Sequence, residues 1–256
     1  MAPTVTFCST AASIEVAVSS LSSQSAILVD CEAQDLGMPG GVLSIISLSD
    51  PVAEHVFLID VLAFPSSQSA AGSGASCIDL ALSTPIPNAA LAPLLDLLSL
   101  SHITKVFWGG RADALELLLA YRLALVNVLD LQLVDVAVRA HSCAPARPAP
   151  HLLTGGYFKF MRPELRRNPG MYADIYMLNG LGRIVDLLPL PKRNDSQTLK
   201  DPAVIAMHKA NGTTSWLARP LPASLRTYAA HDLTLIALVY AHFTRQPWVR
   251  THMSTL

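Results

Sequence analysis

The apolar run Ala26-Ile27-Leu28-Val29, closed by Asp30-Cys31-Glu32, constrains this chain more than any other feature. The run reads as a buried strand, which places two carboxylates at the end of an internal element of a sheet. Side chains alternate along a strand, so Asp30 and Glu32 leave the same face with Cys31 opposite. Two further acids stand in helical contexts. Asp113 opens a leucine-rich stretch, and Asp232 lies four residues after Tyr228, so that pair shares one helix face. Four carboxylates brought near one point repel one another unless a cation neutralises them. Oxygen-only donors suit Mg²⁺ or Mn²⁺ better than a softer metal. The local reading is a two-metal hydrolytic site on an α/β sheet.

The rest of the chain supplies a frame for that site. Thr10 to Ser22 has the spacing of a short amphipathic helix. Ala26–Glu32, Val42–Leu48 and Val56–Val61 read as three strands, the first two joined through Gly37-Met38-Pro39-Gly40-Gly41 as a hairpin. A Ser/Gly/Ala-rich loop, Pro65–Ser76, follows. Ala89–Leu100 predicts a helix, Ile103–Trp108 a strand, Ala112–Tyr121 a helix, Val126–Leu129 a strand and Leu131–Ala140 a helix. Strands first, then alternating β and α elements, indicate a mixed sheet flanked by helices. Cys143–Tyr172 breaks the rhythm with five prolines and the bases Arg147, Lys159, Arg162, Arg166 and Arg167, which reads as a long surface excursion. Helices resume over Leu178–Leu188 and Pro202–Lys209, and a last long one runs from about Pro222 to Thr244. The expectation is a single domain over residues 1–256.

Composition removes several classes. Apolar residues make up 51% of 256 and charged residues 14%, which predicts a substantial core rather than disorder. No apolar stretch is long enough to suggest a membrane span. No base precedes Lys105, which argues against a secretory signal or an Arg-rich transit peptide and for an intracellular protein, cytoplasmic or nuclear. Cys8, Cys31, Cys77 and Cys143 lack the spacing of a zinc site or a disulfide framework. Residues 1–104 hold nine acids and no Lys or Arg, whereas residues 105–256 hold ten acids and eighteen bases. A polyanionic partner would be gripped by the second part of the chain; uneven drift of solvated charge is the plain alternative.

The order and spacing of these motifs resemble the DEDD superfamily of 3′–5′ exonucleases, in the branch with a tyrosine in its third motif, similar to ribonuclease D and the Werner-type exonuclease domain. Asp30-Cys31-Glu32 matches the first motif. Lys105-Val106-Phe107-Trp108-Gly109-Gly110-Arg111-Ala112-Asp113 fits the second without a gap. Val128-Leu129-Asp130-Leu131-Gln132 is similar to a strand end that the family carries as Asp-Thr-Gln, and Tyr228 to Asp232 matches Tyr-x-x-x-Asp. Trp216-Leu217-Ala218-Arg219-Pro220-Leu221 is similar to the approach that precedes the third motif.

The resemblance implies a ribonuclease H-like α/β/α sandwich with a mixed five-stranded sheet whose second strand is antiparallel. It implies a metal-dependent 3′–5′ exonuclease that binds the 3′ end of DNA or RNA and releases nucleoside 5′-monophosphates with two Mg²⁺ or Mn²⁺ ions. Asp30 would bridge both ions, Glu32 and Asp232 would complete one site, Asp113 would hold the second ion, and Tyr228 would orient the attacking water. Leu36 matches an apolar position that wedges against the terminal base. Arg162, Arg166 and Arg167 are candidate phosphate contacts, with an ordinary solvated turn as the alternative. Asp130 reads as a loop-ordering residue and Trp216 as a packing anchor. Gly109 stands where many relatives carry a polar residue, and the 143–172 excursion is longer than compact members need. The competing function is a catalytically silent exonuclease fold that binds nucleic acid or a protein partner.

Overall fold

The computed structural model describes residues 3–65, 88–142, 160–172, 175–190 and 212–252. The strands are β1 Thr4–Cys8, β2 Ala26–Gln34, β3 Val42–Ser49, β4 His55–Asp60, β5 Thr104–Phe107 and β6 Val128–Asp130. They form one mixed sheet in the order β1-β4-β3-β2-β5-β6. β3 runs antiparallel to both β2 and β4, as expected, while β1 pairs parallel to β4 and β5 parallel to β2 and β6. The helices are α1 Ala11–Leu21, α2 Ala92–Ser99, α3 Arg111–Tyr121, α4 Leu131–Ser142, α5 Arg162–Arg167, α6 Leu181–Leu187, α7 Ala223–Thr244 and α8 Pro247–His252.

The five-stranded expectation is corrected to six. The added strand, β1, sits at the sheet edge, and of its five residues only Cys8 is buried. Thr-Val-Thr-Phe-Cys does alternate as a strand should, but the segment is short and half-solvated and forms no apolar run. The expected helix over Pro202–Lys209, most of the Pro65–Ser76 loop and the first part of the 143–172 excursion lie outside the described residues. α8 was not foreseen.

Alternation along β2 divides the core in two. Ile27, Val29, Cys31 and Ala33 face a cluster completed by α1, α2 and Leu117 of α3. Ala26 and Leu28 face the other cluster, built from α4, α6, α7 and Val249 of α8. Asp30 and Glu32 continue the second series, so the pleat of one strand aims both carboxylates at the side where α7 packs. Thr10 closes α1 with a reciprocal capping box to Ser13. α7, 22 residues long, spans roughly 33 Å and crosses β2, β3 and β4.

β2 continues to Gln34, two residues past Glu32, across a bulge that offsets the ladder. Glu32 pairs with Ile45 and Ala33 with Leu43, which leaves Ser44 as the extra residue on β3. Beyond the bulge, Asp35–Gly41 turns back over the start of α3. Gly37 there has φ +70°, and a Cβ would lie 3.0 Å from the Cα of Ala112. Gly37→Ala is therefore expected to cost about 1–2 kcal/mol, from a left-handed backbone and a backbone contact that cannot give way. Urea unfolding at fixed m-value checks this, and an unchanged midpoint would contradict it.

Candidate metal centre

β2 supplies Asp30 and Glu32 from one face, and α7 supplies Asp232 from the helix packed against that face. One carboxylate oxygen from each of the three lies within 4.8 Å of the others. Asp30 and Glu32 are half-buried and Asp232 is 6% exposed. Three anionic donors so close together in a partly dry setting repel unless a cation sits among them. They present hard oxygen donors and no sulfur or nitrogen, which suits a divalent cation such as Mg²⁺ or Mn²⁺.

Asp113 stands apart from this trio. It lies in the first turn of α3, 6% exposed, and its Oδ1 accepts the backbone N–H of Cys31 at 2.8 Å. The strand residue between Asp30 and Glu32 thus holds the fourth acid by its main chain. Burial raises the Asp113 carboxyl from its ordinary 3.8 to about 6, against the Cys31 and local backbone hydrogen bonds that favour the charged form, and the Asp130 charge adds to the rise. Desolvation wins that contest. Burial also pushes the Cys31 thiol well up, reinforced by Asp113, Asp30, Glu32 and Glu116. Cys31 is therefore a neutral, buried thiol behind the acidic face.

Around this centre the backbone is fixed by side chains remote in sequence. Asp130 accepts the N–H groups of Gly109 at 2.8 Å, Gly110 at 3.1 Å and Gln132 at 2.9 Å, ordering the loop that delivers Asp113. Gly110 has no room for a side chain there, since a Cβ would lie 2.5 Å from the ring of Phe107. Glu116, one helical turn after Asp113 and 4% exposed, accepts the N–H of Gly37 at 3.0 Å and so ties the β2–β3 loop to α3. Asp35 and Thr213 bond each other, its N–H donating at 3.1 Å and its Oδ1 accepting at 3.1 Å, which joins that loop to the turn before α7.

Tyr228 lies one turn before Asp232 on α7, half-buried, with its ring 6.2 Å from that of Trp216. Trp216 is 1% exposed, a packing anchor as its motif suggested. Leu36 turns toward the cluster on the far side of the sheet and packs there as a half-buried side chain. Arg162, Arg166 and Arg167 are exposed on α5, a short helix that buries only Leu165 and packs on the turn Pro169–Tyr172. The structure thus brings Asp30, Glu32 and Asp232 together, places Tyr228 one turn from Asp232 on α7 and links Asp113 through Cys31. It does not tie Leu36 or the three arginines to the carboxylates. Sequence reasoning did not single out Asp60 and Glu116, and Arg219 stood out only as part of a motif. The pairing of Arg219 with Asp60 spans 159 positions and leaves no local signal.

No family model matches the chain, and no curated protein matches it. Solved structures do. RNase D of Trypanosoma brucei superposes with a TM-score of 0.64 at 21% identity, covering 95% of this chain and 65% of that one. The same enzyme in complex with RNA U12 gives 0.64 at 21%, covering 96% and 64%. The EXO domain of Aedes aegypti Nibbler gives 0.54 at 18%, covering 97% of this chain and 94% of that one. The chain spans less than two thirds of the trypanosomal RNase D. At such identities the likeness establishes the fold.

Proposed function

We propose that this chain, which has the ribonuclease H-like fold of the DEDD 3′–5′ exonuclease domains, is itself a metal-dependent 3′–5′ exonuclease of the tyrosine-containing branch. The observation that carries the reading is the trio Asp30, Glu32 and Asp232, whose carboxylate oxygens lie within 4.8 Å of one another. The solved neighbours support nucleic acid as substrate, the trypanosomal enzyme having been solved with RNA U12.

The residues take distinct roles. Asp30, Glu32 and Asp232 would hold one divalent ion, and Asp30 with Asp113 a second. Such ions, when bound, supply a nucleophile from water at neutral pH and neutralise charge at the phosphate. Tyr228, one helical turn from Asp232, offers its hydroxyl to orient the attacking water toward the terminal phosphodiester. Cys31 fixes Asp113 through its main-chain N–H. Arg162, Arg166 and Arg167 would contact phosphates without reading sequence, whereas Leu36, packed on the far side of the sheet, takes no role at the terminal base. Hydrolysis at the 3′ end then releases nucleoside 5′-monophosphates.

The deciding experiment incubates the protein with 5′-labelled single-stranded RNA and a matched 3′-overhang DNA, in Mn²⁺ or in EDTA. A ladder shortening from the 3′ end, present with metal and absent with EDTA, is expected, and its relative rate on the two substrates identifies the preferred sugar. Folded protein that binds Mn²⁺ and leaves both strands intact would overturn the proposal in favour of a non-cutting binder.

A further inference from the structure

We propose that Arg219 is a positioning residue for Tyr228, acting through Trp216; the inference rests on the reading of Tyr228 as the group that orients the attacking water. The guanidinium of Arg219 spends its donors on three structures at once. Nε donates to both oxygens of Asp60 at 3.0 and 2.9 Å, and Nη2 to Asp60 Oδ1 at 2.6 Å. Nη2 also reaches Ser44 Oγ at 2.9 Å. Nη1 donates to the carbonyls of Trp216 at 2.9 Å and Ala218 at 2.8 Å. The Ser44 hydroxyl donates to the same Trp216 carbonyl at 2.6 Å. The Trp216 main chain is thereby clamped between the end of β4, where Asp60 sits, and the bulge residue of β3.

This arrangement is a poor device for stability alone. The Asp60 side chain is 6% exposed and that of Arg219 26%, so desolvation of the acid and solvent screening of the base offset much of the Coulomb gain. Its distinctive product is geometry. A planar fork satisfied by a carboxylate, a hydroxyl and the carbonyls of Trp216, Ala218 and, at 3.4 Å, Ser44 admits one orientation, and lysine cannot reproduce it. The Trp216 ring, 1% exposed, has little freedom to move once its carbonyl is fixed. That ring meets Tyr228 at 6.2 Å and 60°. Displacing the tyrosine by a fraction of an ångström is enough to spoil alignment of a water for in-line attack.

A double-mutant cycle with an independent spectroscopic readout tests this. Arg219→Lys is expected to lower kcat on the order of tenfold with KM and Mn²⁺ affinity unchanged, and to lower it less than twofold in a Tyr228→Phe background. Labelling the six tyrosines with 3-fluorotyrosine assigns one ¹⁹F resonance to Tyr228, by its loss in Tyr228→Phe. Arg219→Lys should shift or broaden that resonance and leave the other five in place. Equal losses of kcat in both backgrounds, or an unmoved Tyr228 resonance in folded Arg219→Lys, would overturn the proposal. Should Arg219→Lys not fold, Ser44→Ala removes one link of the same clamp and is read in the same way. If the wild-type protein cleaves nothing, the exonuclease reading fails by itself, and the resonance alone decides whether Arg219 positions Tyr228.

Discussion

Asp30→Asn is expected to abolish metal-dependent cleavage, by on the order of 10³-fold or more, while leaving the protein folded. The side chain keeps its size, and the main-chain pairing of its strand position opposite Ser47 is untouched. What disappears is one of three carboxylate charges within 4.8 Å of one another. A metal that contributes several kcal/mol of charge stabilisation at the phosphate is worth a factor of that order when its site is lost. The assignment of Asp30 to both ions also predicts a contrast among the three acids. In calorimetric titration with Mn²⁺, Asp30→Asn should weaken every binding event, whereas Glu32→Gln and Asp232→Asn should weaken one and spare the other. Circular dichroism supplies the control for folding. Undiminished Mn²⁺ binding by folded Asp30→Asn would remove it from the metal centre, whatever happened to activity.

The part of this site that is local in sequence was legible, for a geometric reason. Period two along a strand puts Asp30 and Glu32 on one face with certainty once the strand is recognised, and period 3.6 does the same for Tyr228 and Asp232. Which face the pair on β2 occupies was decided by its neighbours: Ala26 and Leu28 continue the same series into the cluster that α7 covers. What could not be read was whatever depends on two distant segments meeting. Arg219 finds Asp60 across 159 positions, and Glu116 finds Gly37 across 79. Leu36 follows Glu32 by an even number, which would keep it on the acidic face of a straight strand. The turn from Asp35, where φ is +52°, breaks that alternation, and Leu36 packs on the far cluster instead. β1 was the harder strand to read because its only signal is the short alternation Thr-Val-Thr-Phe-Cys, with a single fully buried residue.

The fourth acid sets the proposed metal centre against the stability of the fold. In the metal-free protein the Asp113 carboxyl sits at about 6 rather than 3.8, mainly through burial. A carboxyl that binds its proton more tightly when folded leaves the unfolded chain with fewer protons between those two values. Stability contributed by this group is therefore full below pH 4, falls as pH rises to about 6, and is gone above it. The difference corresponds to a penalty of about 3 kcal/mol at neutral pH. Asp113→Asn keeps an acceptor for the Cys31 N–H and removes the buried charge. In EDTA at pH 7.5 it should be more stable than wild type by about 2–3 kcal/mol, and the advantage should vanish by pH 4. The other titrating groups are common to both proteins, so the difference between two urea-unfolding series isolates Asp113. Saturating Mn²⁺ should then stabilise wild type more than the variant, since a cation relieves the charge that only wild type carries. Parallel pH profiles for the two proteins would show that the carboxyl is solvated or paired in solution. The expected profiles, coincident near pH 4 and diverging as pH rises through about 6, would mean that Asp113 is held ionised at a cost to the fold, a cost that a cation bound beside it would relieve.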